Sequence, residues 1–167
     1  MEPLIALVGV TALLLVLGAA GVRPLRSWPL ALRGGIAAVF TLTGVSHFVG
    51  MREDMIAMVP PELPAPALLV TVTGVLELAG AAGVLWARTS PWAAAGLSAL
   101  LVAVFPANVY AITAGTVAGT TESLPVRTAV QAVFLAATLA VLVHQLRARR
   151  SGDPGAPARA PRAGTAA

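Results

Sequence analysis

The sequence contains no cysteine and no lysine, and few charges of either sign. The missing thiols exclude structural disulfides, thiolate metal sites, Cys-x-x-Cys redox chemistry and iron–sulfur ligation by this chain. The missing lysines exclude little; all eleven basic residues are arginine, in keeping with GC-rich coding. Charged residues make up 11% of the 167, against roughly a quarter in an ordinary soluble domain. The chain offers no nucleophile–base pair, metal-ligand cluster or phosphate loop, so no autonomous enzyme and no catalytic residue is visible.

What is present is apolar: 57% of residues are hydrophobic and the mean hydropathy is +0.86. A soluble chain of this length cannot bury that much apolar surface in one core. Residues 3–22, 34–51 and 89–121 carry no charge, 63–87 carry only Glu77, and 128–146 carry only His144 among ionisable groups. A helix needs about 20 apolar residues to cross the roughly 30 Å hydrocarbon layer. The expectation is an all-α integral membrane bundle, with helices at about 3–22, 33–50, 66–86, 92–113 and 125–146. The first run begins Met1-Glu2-Pro3, without a basic leader, and is longer than a signal-peptide core, so it reads as a retained helix.

The links are polar or proline-rich. Residues 23–32 form a short basic segment, 51–66 hold Pro60, Pro61, Pro64 and Pro66, and 88–91 make a tight turn. Residues 115–124 make a Gly/Thr loop with Glu122. The 51–66 segment reads either as a stiff connector or as a lid over one end of the bundle. The division expected is an N-terminal helix and link (1–32), a four-helix membrane domain (33–146) and a disordered basic tail (147–167).

Five spans place alternate links on opposite sides. Arg23, Arg26, Arg33, Arg88, Arg147, Arg149, Arg150, Arg159 and Arg162 fall on one side, and only Arg52 and Arg127 on the other. The positive-inside rule then puts the N-terminus outside and the C-terminus in the cytoplasm. Trp28, Trp86 and Trp92 fall on the basic side, where an interfacial aromatic belt belongs. The net charge of +4 therefore calls for a lipid surface rather than nucleic acid.

Within the spans, small and polar residues mark faces. Thr73, Gly74, Glu77, Gly80 and Ala81 share one face of the third span, and Ala37, Thr41, Gly44 and His47 one face of the second. Glu77 stands near the middle of its span, where a charge costs several kcal/mol, so it should face the bundle interior or be neutral. It either ties two helices together or binds a ligand or proton. His47 ends the second span, as an interfacial polar residue or a ligand contact. Asn108 follows Pro106, which frees the carbonyl of Val102; Asn108 either satisfies the kink or contacts a ligand. Glu77, His47 and Asn108 are expected to line one outward-opening cavity. Asn108, and His47 level with it, should lie about 10 Å nearer the outer surface than Glu77. His47 and His144 fall at opposite ends of the bundle, so they cannot form a bis-His haem site, and no metal site is evident.

Four elements in order carry a resemblance: Gly44-Val45-Ser46-His47-Phe48, Met58-Val59-Pro60-Pro61 with Leu63-Pro64, Gly74-Val75-Leu76-Glu77, and Phe105-Pro106-Ala107-Asn108. Over about residues 33–146 the sequence resembles the DoxX family of small bacterial membrane proteins, in its DoxX-like branch. The resemblance implies a four-helix membrane bundle, to which this chain adds the helix at 3–22. It also implies an inner-membrane accessory subunit of a quinone-linked or redox-protective complex, with quinone or redox subunits as partners. Two other functions fit the same residues: a binder or carrier of a small apolar molecule with an intramembrane Glu, and a structural subunit without ligand.

Overall fold

The computed structural model describes residues 2–115 and 123–151. Among these residues every regular element is helical: α1 (Glu2–Ala19), a 3₁₀ turn (Arg23–Arg26), α2 (Trp28–Ser46), α3 (Arg52–Ala57), α4 (Pro66–Leu85), α5 (Ser90–Thr113) and α6 (Leu124–Ser151). All but the 3₁₀ turn and α3 are long and apolar enough to cross a membrane. Prolines open several of them. Pro29, Pro66 and Pro91 occupy the first turns of α2, α4 and α5, where a missing N–H breaks no hydrogen bond and the fixed φ suits a helix.

Helices α2, α4, α5 and α6 close a ring of antiparallel neighbours, and α1 packs against α2 from outside it. Burial follows that arrangement: eight residues of α2 are buried against two of α1. The core is drawn mainly from Ile36, Val39 and Phe40 of α2, Ala81 and Val84 of α4, Leu97 and Leu101 of α5, and Val141 of α6. Leu7 is the contribution of α1. Side chains point outward over much of α1, where Ile5, Val8, Leu13 and Val16 are all more than half exposed.

Four sequence expectations change. The second helix begins at Trp28 rather than 33, because Pro29 is a favourable first-turn residue. The boundary placed at 32/33 therefore falls inside α2, and the basic link shortens to the 3₁₀ turn. Residues 147–151, assigned to a disordered tail, continue α6, with Arg149 donating to the Arg88 carbonyl at 2.9 Å. The proline-rich segment contains a short helix, α3, which docks on α4. Thr41, placed on the packed face of α2, is exposed, whereas Ala37 and Gly44 of that stripe are buried. The Gly/Thr loop lies for residues 116–122, Glu122 included, outside the described residues, as do residues 152–167 of the tail.

Candidate functional site

Antiparallel packing of α2 on α4 lines up three polar levels along one interface. At the arginine-rich end Arg33 is only 7% exposed. Its Nε donates to the Val84 carbonyl at 2.6 Å, and its Nη2 donates to the Leu85 carbonyl. These belong to the last turn of α4, whose carbonyls have no partners within the helix and carry the negative end of its dipole. Thr89 supports the same terminus by donating to the Gly83 carbonyl at 2.6 Å. Arg33 is thus a C-cap delivered from a neighbouring helix.

Halfway along, Glu77 is buried on the α4 face that meets α2. The Thr43 hydroxyl donates to Glu77 Oε2 at 2.5 Å and stands 3.1 Å from the Val39 carbonyl. The other carboxyl oxygen accepts no hydrogen bond among the described residues. Gly44 makes the approach possible: a methyl there would fall 2.9 Å from the Leu78 side chain and 3.2 Å from Glu77 Cβ.

One turn further from the Arg33 end, His47 sits on Gly74. A Cβ at Gly74 would meet His47 Cβ at 2.6 Å and Phe48 Cε2 at 2.9 Å. His47 Nδ1 is 2.9 Å from the Thr43 carbonyl. A carbonyl can only accept, so Nδ1 carries the hydrogen and Nε2 is left as the basic nitrogen. Arg52 of α3 closes this end, donating to the His47 carbonyl at 3.1 Å and to Thr71 Oγ1 at 3.0 Å.

Asn108 goes elsewhere. Its Nδ2 donates to Gln131 Oε1 at 2.8 Å, between α5 and α6. Gln131 Nε2 in turn donates to the Leu101 carbonyl at 2.5 Å, one residue before the carbonyl that Pro106 frees. Asn108 therefore reaches the proline kink only through Gln131. Deeper in the same interface Ser98 donates to Thr138 at 2.8 Å.

Of the three residues singled out by sequence, the structure brings His47 and Glu77 to one interface and gives Asn108 a partner on α6. His47 lies level with Gly74, about 4.5 Å along the axis from Glu77 at 1.5 Å per residue, nearer than expected. An open apolar groove of about 510 Å³ runs between α4 and α5. Its walls include Leu76 and Gly80, which flank Glu77, and none of the three singled-out residues. His144 packs edge-on against Trp28, 5.2 Å between ring centres, at the Arg33 end.

Sequence reasoning missed Thr43, Arg52 and Gln131, and counted Arg33 only as a charge outside the membrane. A signal existed for two of them. Thr43 stands four residues before His47, and Gln131 is the one amide within the apolar stretch 129–143.

These features define a ring of four apolar helices with a fifth outside it, carrying an ionisable polar column between two of them. The family model that matches residues 36–149 is described as a domain of unknown function (DUF8561), and the chain belongs to that family. No curated protein matches the chain, and no solved structure does.

Proposed function

We propose that the protein is an inner-membrane protein that binds the hydrogen-bonding head group of a small apolar molecule at Glu77, as an accessory subunit of a quinone-linked or redox-protective complex. The observation that carries the site is Glu77 itself: buried, held through one oxygen by Thr43, with hydrogen-bonding capacity left on the other. A polar group buried in an apolar bundle is costly unless its hydrogen-bonding capacity is used. A helix tie needs one oxygen; a ligand uses the second. The apolar groove lies on the neighbouring face of α4, where a molecule reaching round Leu76 or Gly80 would lay its apolar body. A quinone fits this chemistry, with carbonyl oxygens for a donor and an isoprenoid tail for the groove. The choice of quinone and of a redox complex rests on the DoxX-like resemblance.

The arginine partition orients the chain with the Arg33 end cytoplasmic and the His47 end outside. Single cysteines at the exposed positions Ala87 and Ser123 then label from opposite sides of the membrane, and labelling from one side overturns the topology.

The binding test is purification in mild detergent, mass spectrometry of copurifying lipid, quinone and protein subunits, and titration with a short-tailed quinone. Glu77→Gln keeps the fold and weakens binding about tenfold, the equivalent of one hydrogen bond at roughly 1.4 kcal/mol; Glu77→Leu weakens it at least as much. If both variants fold and bind as the parent does, Glu77 is a helix tie and nothing more.

A further inference from the structure

The hydrogen bonds around Thr43 have one hydrogen too few for a single fixed arrangement. Its hydroxyl stands within reach of both Glu77 Oε2 and the Val39 carbonyl, yet it has one proton to donate. With Glu77 ionised, Thr43 donates to the carboxylate. With Glu77 protonated, the acid donates to Thr43 Oγ1, and the Thr43 hydrogen turns to Val39. In both states the Thr43–Glu77 and Thr43–Val39 contacts each keep a compatible hydrogen, or trade one, without moving a heavy atom. The same residue holds His47 through its carbonyl, leaving Nε2 as the nitrogen that can take up a proton.

We infer that Glu77 changes protonation state in the folded protein and exchanges its proton with the solution at the Arg52 end through His47. Water gives a proton to His47 Nε2, forming an N–H bond. The imidazolium then loses it to the Glu77 carboxylate, breaking N–H and forming O–H, either directly or across one water; no electrons move. His47 returns to its neutral form and Glu77 becomes an acid able to donate to a carbonyl acceptor. Ligand binding at Glu77 is thereby linked to uptake of one proton from that side. This linkage rests on the binding role assigned to Glu77, whereas the exchange itself does not.

The surroundings allow this route. His47, which caps α2, sits on Gly74, one turn of α4 from Glu77. Arg52 of α3 is committed to Thr71 and to the His47 carbonyl, while Glu53 and Asp54 of the same helix are exposed. Helix α5, on the other side of α4, contributes no charged side chain. Towards the opposite end, Ala81 and Val84 continue the buried face of α4, so the polar column is interrupted before Arg33.

Infrared spectroscopy of the full chain reads this directly, with D2O and pH jumps as the probes. A carboxyl C=O band that disappears in Glu77→Gln belongs to Glu77. That band should titrate reversibly, and its exchange after a D2O jump should slow about a hundredfold in His47→Gln, the scale of a positioned proton-transfer group. Added imidazole should restore the rate in His47→Ala. If His47→Gln does not fold, Thr43→Val is the second variant: it should shift both the C=O band of the acid and the carboxylate stretch of the ionised form. A band that never titrates while the helices stay intact overturns the inference. So does an exchange rate indifferent to His47, or a band indifferent to Thr43. Loss of quinone binding with normal exchange counts against the ligand alone.

Discussion

Between α2 and α4 the polar groups are ionisable: Arg33 at one end, Glu77 in the middle, His47 at the other end with Arg52 beyond it. The side-chain hydrogen bonds described between α5 and α6 join neutral groups: Ser98 with Thr138, and Asn108 with Gln131. The neutral interface uses the hydrogen-bonding capacity of Gln131 at both ends of its amide, engaged by Leu101 and Asn108. The ionisable interface keeps some in reserve, in the second oxygen of Glu77 and the Nε2 of His47. A saturated network holds helices in register; one with unused donors and acceptors is available for chemistry. Both interfaces lie within a single ring of helices, so the difference comes from side chains and not from architecture.

The comparison can be broken most forcefully at Arg33. Arg33→Ala removes two charge-assisted hydrogen bonds and uncaps α4, and should lower stability by about 3 kcal/mol, read by thermal unfolding in detergent. Arg33→Lys should recover only part of that, because an ammonium cannot reproduce the guanidinium fork. A neutral outcome for Arg33→Ala would mean the cap is not a structural element of the α2–α4 pair.

Gly74→Ala comes next. The methyl meets His47 Cβ, an atom close to the backbone that cannot swing aside. A cost of about 1–3 kcal/mol from overpacking is expected, together with displacement of His47, visible as a change in its ring-proton NMR shifts. Unchanged shifts would show that His47 is not seated on Gly74.

On the neutral side, Gln131→Leu should cost about 1–2 kcal/mol by orphaning the Asn108 amide and taking a second donor from the Leu101 carbonyl. Asn108→Ala should cost less, since Gln131 still reaches Leu101. An equal or larger loss for Asn108→Ala would return Asn108 to the role of principal kink partner. The smallest effect belongs to the Ser98–Thr138 pair. A double-mutant cycle with Ser98→Ala and Thr138→Val should return a coupling of about 0.6 kcal/mol, the average for hydrogen bonds between membrane helices. A coupling well above that would make α5–α6, not α2–α4, the stiffer interface.

Hydropathy alone marks five helices, because covering a bilayer-length stretch with apolar residues is a local, one-dimensional property. Their ends were less legible: Trp28 and Pro29 read as link but start α2, and Arg147 read as tail but continues α6. The small-residue face of the third span was legible too, since Gly74, Glu77, Gly80 and Ala81 are buried together. An ionisable residue alone in an apolar stretch stands out by its cost, which is how Glu77 and His47 were found. Which helix faces which was not legible. Register between two helices depends on how Gly44 and Gly74 let backbones approach, and on where Arg33 finds open carbonyls some fifty residues away. Only the tertiary structure gives Glu77 to Thr43 and His47, and Asn108 to Gln131, because hydrogen-bond partners across an interface are set by three-dimensional packing that no single-chain periodicity records.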